Sequence, residues 1–260
     1  MKKRLRHRVR GIGILFALAV AIGPIPFTRA DERNEARVSD AIHNVQLLAS
    51  NAGPRPASIN DNVRQGTAVR TGSDSRAELA FTNRTLARLG ANSLLSFADG
   101  DFDLANGSML LYLPKRSAGA RINTTVATAA GNSFTVMAEY RPKSWIKFIV
   151  LEGRGSIFLK HHPGETRTLR AGQMITVRAG AMKLPQPQDI DLSGLIKTSL
   201  LVTQFPPLPN LTLILSEANN QQISPPTSRV IDPTGLNTRD QRAAAHPAAT
   251  TRTIPARPRP

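Results

Sequence analysis

Polar and apolar residues alternate along Arg76 to Phe81, with Ala77, Leu79 and Phe81 on one side and Arg76, Glu78 and Ala80 on the other. A period of two is the mark of a half-buried strand, and it places Leu79 inward and Glu78 outward. Thr82-Asn83-Arg84-Thr85 is then a run of turn-forming residues, after which Leu86-Ala87-Arg88-Leu89 resumes at strand length and stops at Gly90-Ala91-Asn92. The stretch predicts a hairpin. Gly66, Gly72 and Gly90 stand near where each strand must end.

The same punctuation continues along the chain. Before the hairpin, Val38, Ile42, Val45, Leu47 and Leu48 fit a helix turn and a strand about equally, with strand favoured from Asn44 to Leu48. Gly53-Pro54-Arg55-Pro56 must be a loop, because two prolines remove ladder donors. After the hairpin, strand-like runs fall at Ser93–Phe97, Phe102–Leu104, Met109–Leu113, Ile122–Ala127, Ser133–Ala138, Ile146–Leu151, Ser156–Lys160, Thr166–Leu169 and Met174–Val177. Asp99-Gly100, Asn106-Gly107, Gly131-Asn132, Glu152-Gly153 and Pro163-Gly164 supply the turns between them. Short strands with no long helix between them predict an all-β fold, either an antiparallel sandwich or a curled, solenoid-like sheet, and exclude a parallel β-α-β fold.

Ile190 to Gln204 breaks this pattern. Leu192, Leu195, Ile196 and Leu200 form one helical stripe, Asp191 is a candidate N-cap, and Pro206-Pro207 ends the helix. Leu208 and Leu211 to Leu215 retain some apolar surface for docking, whereas the chain from Gln221 has too little to offset the entropy of ordering it. The organisation expected is a leader over 1–30, an N-terminal strand and loop over 31–60, a β domain over 61–180, a linker and short amphipathic helix over 181–205, and a largely disordered Pro/Arg-rich tail over 206–260.

The leader changes the reading of charge. Met1 to Arg10 carries six basic residues and no acid, Gly11 to Ile22 is apolar, and Thr28-Arg29-Ala30 offers small residues where a signal peptidase reads. This predicts export with cleavage between Ala30 and Asp31 and a periplasmic or secreted protein; the membrane would be touched only through an uncleaved leader. The apolar run is shorter than the ~20 residues of a membrane span. Of the formal +16, the leader holds seven of the 34 Lys and Arg and none of the 18 acids, so the chain from Asp31 carries +9, with +6 before Pro206 and +3 after it. Neither part has a dense basic block, so a nucleic-acid partner is not expected. The chain has no cysteine. An exported body of about 175 residues must therefore supply its own apolar core, without disulfides, thiolate metal sites or thiol nucleophiles.

No constellation of residues points to catalysis. His161-His162 precedes Pro163-Gly164 at a hairpin tip, where neighbours point apart and read as solvated turn residues, and His43 reads as a surface residue. There is no Gly-x-Ser-x-Gly elbow, phosphate loop or His-Glu-x-x-His. Asp99, Asp101 and Asp103 would share one strand face, which reads as a polar edge and, in the sharper reading, as a calcium site. Trp145 reads as core packing or, more sharply, as a carbohydrate platform. No cofactor and no enzymatic activity are expected.

The order of these motifs resembles the FecR domain of bacterial envelope proteins, over roughly Asp61 to Val177. The resemblance rests on Gly66, Thr71-Gly72, Ser75 to Leu79, Asn83-Arg84-Thr85, Arg88-Leu89-Gly90, Gly107, Pro114-Lys115, Thr124 to Ala130, Gly131, Glu152-Gly153 and Ala171-Gly172-Gln173. Two positions depart: Asn83-Arg84 stands where the family has Asp-Gly, and Gly131-Asn132 where it has Gly-Thr. Because Asn tolerates left-handed geometry, neither change breaks the turn reading. These are turn and core residues, so the resemblance implies a fold first. It implies a non-enzymatic module that binds a protein or polymer of the envelope through sheet edges and turn rims. The alternative is the periplasmic sensing part of a system that regulates a sigma factor, lacking that system's folded cytoplasmic segment. The ligand is not named by the sequence.

Overall fold

The computed structural model describes residues 34–162 and 164–223; the leader, with the break expected between Ala30 and Asp31, and the chain beyond 223 lie outside the described residues. Among the described residues the chain forms sixteen strands. The first eight are β1 (Glu35–Ile42), β2 (Val45–Leu48), β3 (Arg55–Pro56), β4 (Asn62–Arg64), β5 (Ala68–Thr71), β6 (Arg76–Phe81), β7 (Leu86–Leu89) and β8 (Leu94–Ala98). They are followed by β9 (Asp101–Leu113), β10 (Ala120–Asn123), β11 (Ala127–Gly131), β12 (Phe134–Arg141), β13 (Trp145–Leu159), β14 (Thr166–Arg170), β15 (Gln173–Arg178) and β16 (Gln188–Asp189).

The strands make two layers. One sheet runs β4-β1-β6-β7-β9-β12-β13-β15-β16 and the other β3-β2-β5-β8-β9-β10-β11-β13-β14. All pairs are antiparallel except β9 with β10, where Ile122 faces Phe102. The all-β sandwich is therefore the architecture, and the two layers are continuous because β9 and β13 belong to both.

These two long strands correct the expected turns at Asn106-Gly107 and Glu152-Gly153. Gly107 (φ +87°) and Gly153 (φ +81°) sit inside continuous strands. At each, a left-handed residue re-aims the strand from one layer to the other without reversing it, as a bulge does. Conversely, Ile122–Ala127 holds a reversal: the Thr124 hydroxyl accepts from Ala127 N–H at 3.1 Å and donates to Ala127 C=O at 2.7 Å, joining β10 to β11. In the first hairpin the left-handed residue is Arg84 (φ +66°), not Asn83, whose side chain accepts from Thr85 N–H at 3.0 Å and holds the turn from the preceding position.

Alternate residues of both layers fill the inner core, including Leu79, Leu95, Leu104, Ile122, Phe134, Phe148 and Ile157, all buried. Phe81 meets Phe97 and Phe102 edge to face, with ring centroids 5.0 and 5.5 Å apart.

A second core lies on the opposite face of the first sheet. Leu110, Met137, Ile149, Leu151 and Met174 project from it and are covered by α1 (Leu192–Thr198), α2 (Leu200–Thr203) and α3 (Leu211–Ile223). Asp191 caps α1 by accepting from Gly194 N–H at 3.1 Å. The single helix expected over Ile190–Gln204 is broken at Ser199, which is extended (ψ 122°); this shifts the buried stripe from Leu200 to Leu201. The described part of 206–260 is likewise no loose tail. Ile214 and Ala218, one helical turn apart, seat α3 on the sheet, and Gln221 bonds both Leu192 N–H and Gly172 C=O at 3.3 Å.

Candidate interaction surfaces

The helical cover decides which polar residues are free to act. Glu78, expected outward in water, is 6% exposed, because its face of β6 is roofed by the C-terminal segment. Arg88 is directly across from it on β7. Arg88 Nε donates to Glu78 Oε2 at 2.7 Å and Nη1 to Leu201 C=O at 3.0 Å, Nη2 donates to Pro206 C=O, and the guanidinium lies 4.9 Å from the centre of the Phe205 ring. Ser39 Oγ donates to Glu78 Oε1 at 2.8 Å. Burial pushes the Arg88 guanidinium below its ordinary value, and the Glu78 carboxylate opposes that shift. The pair ties α2 and the chain after it to the sheet, and it is structural.

A second buried group lies further along the same sheet. Glu139 pairs with Lys147 and with Arg141, each at 3.2 Å. Arg141 and Lys147 flank the Trp145 ring, each 5.5 Å from its centre. Trp145 is half-buried between two cations, which differs from both the core role and the open platform considered for it.

The residues that carried the family resemblance gather in several places. Thr71 Oγ1 donates to Gly90 C=O at 2.6 Å and accepts from Ser93 N–H at 2.9 Å, while Gly72 C=O accepts from Asn92 N–H at 2.9 Å. Gly107 packs against Ser93 in this same corner. Leu79 is in the inner core and Gly66 in an open loop before β5. Gly131 closes β11 against the Phe134 ring. Gly172 C=O accepts from Ile190 N–H at 2.9 Å, and Gln173 bonds Arg170 N–H and Asp189 Oδ1. Glu152 and Lys115, both among these residues, line one cleft.

That cleft, of about 270 Å³, opens where the start of α3 meets the end of β9 and the middle of β13. Tyr112, Lys115, Ser133, Asn210 and Leu213 line it with Glu152. Asn210 Nδ2 donates to Glu152 Oε2 at 3.0 Å and to Thr135 Oγ1 at 2.7 Å. Burial raises the Glu152 carboxyl above its usual range; the Asn210 hydrogen bond and Lys115 offset part of this, and Glu217 adds to it. Burial also raises the Tyr112 hydroxyl, with the Glu152 charge adding to the shift.

His161 and His162 are exposed at their hairpin and border a smaller hollow of about 240 Å³ with Thr125 and Lys143. His43 stands in the β1–β2 turn with Nδ1 2.7 Å from Asp74 C=O. The three aspartates do not converge. Asp99 is in a turn (φ +49°) and accepts from Gln65, Asp101 pairs with Arg121 at 3.6 Å, and Asp103 is exposed beside Asn123. Among the described residues, no three His, Asp or Glu side chains are grouped to hold a metal, and no helix is long and apolar enough to cross a membrane.

Sheet edges remain. β3 is two residues long and ends in Pro56, and β4 and β16 have three and two residues. β14 has five, and its ladder partner among the described residues is β13. Arg170 N–H bonds the Gln173 side chain, so by alternation the N–H groups of Thr166 and Thr168 also face away from β13. Arg154 and Arg170 stand directly opposite each other, a like-charge pair that costs stability in a sheet.

No known protein family matches the sequence, and neither does any curated protein. Among solved structures, two crystal structures of a candidate anti-sigma factor from Parabacteroides distasonis ATCC 8503 are similar. One, at 1.65 Å, has 11% identity and a TM-score of 0.43, covering 59% of this chain and 75% of its own. The other, at 2.50 Å, has 10% identity and a TM-score of 0.42, covering 63% of this chain and 96% of its own. Similarity at this level leaves function to be argued from this chain's own surfaces.

Proposed function

We propose that this chain is an exported, non-enzymatic FecR-type module of the bacterial envelope that binds an extended, carboxylate-bearing segment of a partner by strand addition along β14. The observation that carries this reading is the open side of β14 with three arginines around it. An exposed edge offers main-chain donors and acceptors in register, and a bound strand would satisfy the N–H groups of Thr166 and Thr168, the Thr166 carbonyl already accepting from Arg167 Nη1 at 3.2 Å. Arg154 and Arg170 repel one another in the free domain, and a carboxylate laid beside them would relieve that cost. Arg167 adds a third charge, and β14 itself holds no acid. The export part of the reading rests on the basic and apolar leader, and an N-terminal sequence beginning at Asp31 in the envelope form checks it.

The binding part is tested with an extended peptide of alternating Thr and Glu added to the protein at low salt. Hydrogen exchange at Thr166 and Thr168 is expected to slow on binding. Thr168→Pro, which removes one outward N–H and leaves the ladder to β13 intact, should weaken the peptide at least tenfold with little change in melting temperature. Added salt should weaken it further. Unchanged exchange along β14, or full binding by Thr168→Pro, would show that the edge is not the binding surface.

A further inference from the structure

The cleft at the start of α3 contains two acceptors whose needs the domain leaves unmet. Asn210 is 6% exposed, and while its Nδ2 bonds Glu152 and Thr135, its Oδ1 has no hydrogen-bond partner among the described residues. A buried acceptor in this state is a cost to the fold that a donor from a ligand would remove. Beside it, Glu152 is half-buried and in no ion pair among the described residues: its carboxylate accepts from the neutral Asn210 amide, and Lys115, exposed on the rim of the same cleft, acts on it only through its charge. Leu213, 42% exposed, supplies an apolar wall to the same cleft, next to Pro209.

We infer that this cleft takes the guanidinium of an arginine side chain from a protein partner, with the head group on Glu152 and Asn210 Oδ1 and the aliphatic stem along Leu213. The chemistry of the cleft selects that ligand. A guanidinium is acceptor-free, carries five donors in a planar fork that fits a carboxylate, and is more weakly hydrated than an ammonium, so it enters a partly desolvated site at lower cost. Its charge would act on the Glu152 carboxylate in the same sense as Lys115 and against burial and Glu217. Lys115 is the internal competitor for the carboxylate. The inference does not depend on the β14 edge, whose charge has the opposite sign.

The test uses N-acetyl-arginine-amide as the probe and its neutral isostere N-acetyl-citrulline-amide as the comparison, read by NMR shifts of the Asn210 side-chain amide and of backbone amides around the cleft. Saturable millimolar binding of the arginine probe is expected, with citrulline at least tenfold weaker. Glu152→Gln should weaken binding at least tenfold, and Lys115→Ala should tighten it severalfold. A carboxyl raised by burial binds its proton more tightly in the fold, so its ionisation takes stability away as pH rises through the shifted range. Glu152→Gln is accordingly expected to melt no lower than the parent at neutral pH, which a purely structural role for Glu152 would not give. Equal binding of the two probes, no saturable shift, or unchanged affinity in Glu152→Gln would each overturn the inference.

Discussion

Glu78→Lys is expected to abolish folding or lower the midpoint of unfolding drastically, although alternation along Arg76–Phe81 places Glu78 on the polar side of its strand. The carboxylate is 2.7 Å from Arg88 Nε, and the Arg88 side chain is 1% exposed. A lysine there would remove the one carboxylate bonded to the guanidinium and set a second cation beside it. Breaking a buried ion pair in this way costs about 3–5 kcal/mol, a large share of the roughly 5–15 kcal/mol that holds a domain folded. Leu79→Asp should be comparably damaging through the inner core, since Leu79 is wholly buried. Substituting both members of the pair, as Glu78→Leu with Arg88→Met, should recover part of the loss. Recovery would stop short of the parent because the Leu201 and Pro206 carbonyls lose their donor. Denaturant melts of the two single variants and the double variant check this. If Glu78→Lys melts like the parent, the helical segment does not cover that face.

The contrast between Leu79 and Glu78 shows how far local pattern reaches. Leu79 and its neighbours were legible because alternation, turn residues and glycines act over a few positions, and β6 and β7 have the expected ends. The roof over Glu78 comes from Leu201 and Pro206, more than a hundred residues downstream, and no local period carries that information. One signal was nevertheless present. Ile146 to Leu151 is apolar on both faces apart from Lys147, which is how a strand covered on both sides reads, and Leu110 and Met137 repeat it on neighbouring strands. These residues required a second layer. Leu208 and Leu211 to Leu215, which keep apolar surface for docking in the sequence, belong to that cover, although within α3 only Ile214 and Ala218 lie fully inside. The α3 cleft was less legible still: Glu152 belonged to a turn motif, and its partner Asn210 is 58 residues away with no pattern joining them.

Gly107→Ala tests the strand that passes between the two layers and is expected to be the most damaging single-methyl substitution in the domain. At φ +87° an L side chain is strained wherever it stands, at about 1–2 kcal/mol. Here it would also have no room: an added Cβ would lie 2.5 Å from Ser93 Cα and 2.6 Å from the Asn92 carbonyl oxygen. Both are backbone atoms, and rotating a side chain cannot relieve the clash. Ser93 is itself fixed, because its hydroxyl accepts from Ser108 N–H and donates to Ser108 C=O, both at 2.9 Å. Overpacking of this kind adds about 1–3 kcal/mol, so a total near 2–5 kcal/mol is expected. Gly66→Ala is the control. It has nearly the same φ, +81°, but nothing within 4 Å of the added carbon, and should lose only the conformational part. Equal midpoints of unfolding for the two variants would mean that backbone strain alone is being measured and that β9 does not pass between the layers at Gly107; a markedly lower midpoint for Gly107→Ala would fix the crossing there.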